Sequence, residues 1–241
     1  MNQLTGRIAI VTGGGSGIGE GIALALAAAG ASVVICGRRE ASLARVVAAI
    51  GAAGGVARAV PADVTREEDV ARLVAETLDT FGALHILVNN AGVDAGDAPI
   101  HEYSVAEWDR VMATNLRGPF LMARAALPAM RRQREGHILN ISSEAGLEYY
   151  TESCAYSVSK FGLNALGELM QLENQEYGIR VNTICPGMVV TEMSQDTPGL
   201  NYERCLNPAD IADMVLWLVT RRPNVKIGRP LLIQTMLNPW E

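Results

Sequence analysis

Short apolar runs alternate with longer amphipathic stretches along most of this chain. Residues 7–11, 31–36, 56–60, 84–88, 136–141 and 180–185 have the length and composition of buried strands. Residues 20–29, 107–130, the stretch holding Tyr156, Leu163, Leu166, Leu169 and Met170, and 208–220 carry helical spacing. Thr65-Arg66-Glu67-Glu68 has the pattern of a capping box, and Asn207-Pro208-Ala209-Asp210 places proline in a first helical turn. Strands alternating with helices from end to end predict an α/β fold, a doubly wound parallel sheet in three αβα layers.

Length and composition agree with one domain over residues 1–241, because a chain with 49% hydrophobic residues can bury a large core and no linker, repeat or low-complexity tract divides it. A formal charge of −6 without a basic cluster argues against nucleic acid as a partner. The uncharged stretch 21–37 is alanine-rich and broken by Gly30, so it reads as helix plus strand rather than a membrane span. With no signal-peptide pattern, and with Cys36, Cys154, Cys185 and Cys205 at no metal or redox spacing, a cytoplasmic, reducing location is expected. Cys154 is placed to pack or to line a pocket. His85, His101 and His137 are scattered, and no metal is expected.

The candidate chemistry begins where the first strand meets Thr12-Gly13-Gly14-Gly15-Ser16-Gly17-Ile18-Gly19 and a helix follows. Glycines allow a tight turn and close approach of a pyrophosphate, and the free N–H groups of the helix start favour its charge. The next strand ends at Gly37-Arg38-Arg39, where an acidic residue would bind the ribose hydroxyls of NAD. Glycine followed by two guanidinium groups leaves room and donors for a 2′-phosphate, so NADP(H) is expected over NAD(H). Asp63-Val64 follows the third strand; Asp63 is placed either to bond adenine or to serve as an ordinary acidic residue near a helix start. Asn89-Asn90-Ala91-Gly92 ends the fourth strand with amides able to stitch strand ends together. Tyr156 and Lys160 lie four apart on one helix face, so phenol and ammonium emerge about a turn apart. A cation favours phenolate, and lowering a phenol by roughly three pKa units takes about 4 kcal/mol of differential stabilisation, which the lysine and a cationic nicotinamide together could supply.

These pieces resemble the short-chain dehydrogenase/reductase family in its roughly 250-residue, Tyr-x-x-x-Lys subgroup. The matching motifs are Thr12-Gly13-x-x-x-Gly17-x-Gly19, Asp63-Val64, Asn89-Asn90-Ala91-Gly92, Asn115, Ser143, Tyr156-x-x-x-Lys160 and Pro186-Gly187-x-Val189-x-Thr191. The resemblance covers about Gly6 to Met193 and implies a Rossmann fold with an active-site tetrad of Asn115, Ser143, Tyr156 and Lys160. It implies cofactor contacts from Gly13, Ser16, Gly17, Ile18, Gly19, Arg38, Arg39, Asp63, Val64, Asn90, Ala91, Gly92, Tyr156, Lys160, Pro186, Gly187, Val189 and Thr191. In such a site Tyr156 would deliver a proton, Ser143 would hold the substrate oxygen, Lys160 would stabilise phenolate and bond the nicotinamide ribose, and Asn115 would hold a water leading to solvent. Ser143 is preferred to Ser142 because its interval to Tyr156 matches the family and alternation lets only one face the site.

Residues 93–103, 144–155 and 188–206 should supply the substrate pocket, beyond the carboxyl ends of the strands. Arg204 is their one basic residue amid nine acids, which points to a small, neutral or cationic alcohol, ketone or aldehyde. The acids would equally well face solvent. The chain end, residues 227–241, departs from the family's Asp-Gly-Gly ending, which bears on a subunit contact there. The resemblance suggests a homotetramer, with a dimer as runner-up, and Trp240 as an anchor on a neighbouring subunit. The alternatives are an NAD-dependent relative acting on a polyol or hydroxy acid, and a module that binds dinucleotide without turnover.

Overall fold

A computed structural model describes residues 3–94 and 96–241. Met1 and Asn2 of the expected domain, and Ala95 of the expected substrate segment 93–103, lie outside the described residues. Seven parallel strands, β1 (Ile8–Thr12), β2 (Ser32–Gly37), β3 (Val56–Pro61), β4 (Ile86–Asn89), β5 (Gly136–Ile141), β6 (Ile179–Pro186) and β7 (Leu231–Ile233), lie in the order β3-β2-β1-β4-β5-β6-β7. The helices between them are α1 (Gly17–Ala28), α2 (Glu40–Ala52), α3 (Glu67–Phe81), α4 (Val105–Met112), α5 (Gly118–Gln133), α6 (Cys154–Asn174) and α7 (Pro208–Val219).

Strand alternation divides the core in two. Ala9, Val11, Val33, Ile35 and Val88 face α1, α2 and α7 through Ile22, Leu26, Leu43, Val46, Ile211 and Val215. Ile10, Val34, Leu87 and Ile138 face the opposite layer, packing on Leu73 of α3, Met122 and Met130 of α5 and Met170 of α6. This is the expected doubly wound, Rossmann-type sheet with both faces covered. Strand order reverses about β1, whose neighbours β2 and β4 diverge to opposite connections and open a crevice at their carboxyl ends.

Two local expectations are corrected. Residues 107–130 form no single regular helix: a wide π turn, Ala113–Arg117, separates α4 from α5. Thr65 does not cap α3; its amide and hydroxyl both donate to Asp63 Oδ1, at 2.9 and 2.8 Å, so the chain makes an Asx turn first and Arg66 becomes the N-cap. The start at Asn207 stands, with Asp210 accepting from the Asn207 amide at 2.7 Å. No helix of the described residues is long and apolar enough to cross a membrane.

Candidate functional site

A groove of about 520 Å³ opens at the carboxyl ends of β1, β2 and β4. Its floor is built by backbone. Gly13 adopts a left-handed φ of 66°, and a Cβ at Gly19 would lie 2.3 Å from the Gly13 carbonyl oxygen. Ser16 precedes α1 without capping it through its hydroxyl, so the first amides of the helix carry no side-chain acceptor from that residue. The floor is then fastened to β4. Thr12 Oγ1 accepts from the amides of Asn90 and Ala91 at 2.9 and 3.0 Å, and Asn90 Nδ2 donates back to the Thr12 carbonyl at 2.9 Å. Deeper in, Asn89 donates to Asn140 Oδ1 at 2.9 Å, linking β4 to β5. A narrow turn with no room for side chains, laid over unspent helix amides, suits a dinucleotide pyrophosphate.

Of the residues expected to contact cofactor, Gly13, Ser16, Gly17, Ile18, Arg38, Arg39, Asp63 and Val64 line the groove. Asn90, Ala91, Gly92, Tyr156, Lys160 and Thr191 line it as well. Gly19, Pro186, Gly187 and Val189 do not. Gly19 is buried beneath the Gly13 carbonyl, and Gly187 donates its amide to Ile233 at 2.8 Å, tying β6 to β7. Val189 is buried and bridges Leu206. These four shape the walls from behind. Asp63 faces the groove with Oδ1 already committed to Thr65.

Tyr156 sits in the first turn of α6, with the Ser143 side chain near enough to its hydroxyl to favour the phenolate. Ser142 is turned the other way, donating to the Lys160 carbonyl at 3.3 Å from a buried position. Lys160 is buried; its Nζ donates to the Ile141 carbonyl at 3.1 Å and lies 5.3 Å from the centre of the Tyr156 ring. Asn115 stands in the π turn, where its Oδ1 accepts from the Val93 amide at 2.9 Å and its Nδ2 donates to the Val93 carbonyl at 2.8 Å and Ser159 Oγ at 3.1 Å. Its side chain therefore braces the backbone beside Gly92. Neither Ser143 nor Asn115 lines the groove itself; Asn115 is buried behind its wall, whereas Ser143 keeps part of its surface exposed beside Tyr156.

In the protein alone the Tyr156 phenol is raised; the lowering expected of it counted on the nicotinamide as well as the lysine. Burial pushes the phenol up, to about 12, with the nearby Ser143 side chain opposing and Asp94 and Glu144 adding in the same direction as burial. The ring still keeps some exposed surface, because it faces the open groove. Burial also lowers Lys160 to about 8, against the pull of Cys185 and Asp94. The protein alone thus disfavours both charges, burial outweighing what the neighbouring groups offer.

Among the charged groove residues, Arg110 escaped sequence reasoning, and Glu192 was expected only as one acid of the substrate segment 188–206. Arg110 reaches in from α4, donating to the Asp94 carbonyl and to Glu107 Oε2, each at 2.6 Å. It qualifies the expectation that the pocket segments hold little positive charge. Glu192 lies at the rim, 153 positions from the Arg39 it pairs with at 2.8 Å. Neither has a local sequence signature.

A family model described as short chain dehydrogenase matches residues 7–199. An uncharacterized oxidoreductase of Staphylococcus aureus strain MRSA252 is 38% identical over 228 residues, which cover 95% of this chain and 97% of that protein. The crystal structure of a metagenomic short-chain oxidoreductase in complex with NADP aligns at a TM-score of 0.86 and 36% identity, covering 98% of this chain and 100% of the other. Levodione reductase aligns at a TM-score of 0.90 and 30% identity, covering 96% of this chain and 97% of its own.

Proposed function

The chain belongs to the short-chain dehydrogenase family of nicotinamide-dependent oxidoreductases, and from that premise we propose that it moves hydride between NADP(H) and a secondary alcohol or ketone, or an aldehyde, of a small neutral or cationic substrate. The observation that carries this reading is that Tyr156 and Lys160 share one groove wall, the ammonium 5.3 Å from the centre of the ring, with the Ser143 side chain beside the phenol. When bound, the nicotinamide supplies the hydride. The chain supplies the rest. A phenol held at about 12 is protonated at neutral pH, so Tyr156 can donate to the substrate oxygen as negative charge gathers there. Ser143 holds that oxygen by a neutral hydrogen bond. Lys160, at about 8, is still mostly charged at neutral pH and stabilises the phenolate once the proton has left. Asn115 acts by positioning Val93 and the neighbouring Gly92 backbone.

NADP is favoured because Gly37 offers no carboxylate to repel a 2′-phosphate, while Arg38 and Arg39 line the adjoining wall. The metagenomic relative crystallised with NADP is a precedent. Substrate would enter between residues 93–103, 144–155 and 188–206 of one cytoplasmic, catalytic domain. Asp94 and Glu144 both press on the Tyr156 phenol, and the charge of Arg110 is matched by Glu107, which favours neutral or cationic compounds over anionic ones. The protein would assemble as a homotetramer, or failing that a dimer. Phe120, Leu169 and Leu172 are exposed on helices beside an apolar hollow formed by Met112, Leu116 and Leu166.

A panel of matched neutral, cationic and anionic carbonyl compounds, screened with NADPH and NADH, tests the reading. Turnover with NADPH on a neutral or cationic compound is expected. Tyr156→Phe should lose about 10³-fold in turnover while still binding NADPH. A clear preference for anionic compounds would overturn the substrate class, and an unchanged rate in Tyr156→Phe would overturn the mechanism.

A further inference from the structure

Arg39 spans the mouth of the groove. From the N-cap of α2 its Nη2 donates to Ser16 Oγ on the glycine turn and to Glu192 Oε2 on the segment after β6, both at 2.8 Å. Glu192 adjoins Thr191, whose methyl carbon lies 3.3 Å from where a Cβ on Gly17 would stand, so this segment already lies over the turn. The neighbouring guanidinium groups differ. Arg45 is held by both oxygens of Glu20 at 2.6 Å, whereas Arg38 makes no ion pair among the described residues.

Both members of the Arg39–Glu192 pair keep about 60% of their side-chain surface exposed, 59% and 60%. Exposed pairs of this kind are weak and screened by salt. A phosphate carrying nearly two charges and three acceptor oxygens is a stronger partner for a guanidinium than one carboxylate. Once a phosphate occupies that place, the Glu192 carboxylate is left beside it as a like charge. NAD lacks the 2′-phosphate and meets less of that opposition, which for it comes from the pyrophosphate alone.

We infer that Glu192 is a cofactor-specificity residue, which holds Arg39 across the groove in the cofactor-free protein and opposes the 2′-phosphate of NADP, so weakening the preference the two arginines create. The inference rests on the proposed reading of Arg38 and Arg39 as the phosphate site. It makes the cofactor preference of this chain a contest between one rim carboxylate and the arginine pair.

The test is Glu192→Gln, which keeps a hydrogen-bond acceptor for Arg39 and removes the charge. Binding is measured by calorimetry with NADPH, NADH, 2′,5′-ADP and 5′-AMP. NADPH and 2′,5′-ADP should bind roughly threefold to tenfold more tightly at low salt, and the gain should shrink in about 0.5 M salt. NADH and 5′-AMP should change less than about twofold. In an Arg39→Gln background the gain should shrink to the part that comes from direct repulsion between Glu192 and the 2′-phosphate. Equal changes for the phosphorylated and unphosphorylated ligands, or weaker NADPH binding in Glu192→Gln, would overturn the inference. A wild-type preference for NADH would instead overturn the NADP reading, while the ratio between Glu192→Gln and wild type would still decide the role of Glu192.

Discussion

At the amino-terminal edge of the sheet His85 Nδ1 accepts from the Ile8 amide at 3.1 Å, Gln133 bonds both backbone groups of Leu84, and His137 Nε2 meets Asn182 Oδ1 at 2.8 Å. At the carboxyl edge Tyr156 and Lys160 are also crowded by protein, yet both face an open groove. The same fold buries polar groups at both ends. At one end they bond to the protein, His137 Nδ1 excepted, and close it; at the other they stop at a surface something else can fill. Residue type alone does not tell the two apart, since His85 and His137, of the type most often used for proton transfer, sit at the closed end.

Titration separates the edges. Burial and the charge of Arg180 lower His137 to about 3 from an ordinary 6.5. Between those values the unfolded chain holds a proton that the folded chain does not, so stability falls as pH falls through that window. The largest expected effect is a loss of about 3 kcal/mol between pH 6.5 and pH 4 from this residue, measured by urea unfolding and absent from His137→Gln. A wild-type acid limb no steeper than that of the variant would show that the closed edge is not held by a neutral imidazole.

Next comes Lys160, lowered to about 8 from 10.5. Here too the unfolded chain binds the extra proton, so stability should rise from pH 8 toward pH 10, by about 2 to 3 kcal/mol, and Lys160→Met should flatten the rise. Above pH 10 the sign reverses: Tyr156, raised to about 12, keeps a proton that the unfolded chain has lost, and stability should decline. A smaller effect is expected at Thr12→Val, which orphans the Asn90 and Ala91 amides and should lower unfolding free energy by about 1 to 2 kcal/mol while loosening cofactor binding. The smallest is at the outer rim of the closed edge, where Arg7→Gln breaks a half-exposed pair with Glu135 and should change stability by less than about 0.5 kcal/mol.

The carboxyl edge was legible where its chemistry lies close together in the chain. The glycine turn declares itself in eight residues, and Tyr156 and Lys160 share a helix face by spacing alone. Six of the seven strands were read to within a residue or two, since most of the sheet is buried on both faces and those runs stay apolar, whereas the short, half-exposed β7 was given no bounds. Sequence reasoning failed where long-range packing decides. Helical periodicity could not reveal the π turn that holds Asn115, nor that Asp63 would take Thr65 from the helix start. Arg110 and Glu192 enter the groove only because α4 and the segment after β6 fold over it. The direction of the Tyr156 shift also depended on crowding, which a neighbouring lysine in the sequence does not disclose.

The π turn at Ala113–Arg117 fits one more residue into the winding than an ordinary helix would. Each residue of an α-helix turns the chain by about 100°, so this surplus offsets the aim of everything before it from everything after it. Arg110 is thereby pointed at the groove rim, toward Asp94, while Arg124 on the following segment meets Glu67 on α3. Excising a single position from the wide turn would straighten the rod, swing Arg110 off its target and leave the far half undisturbed.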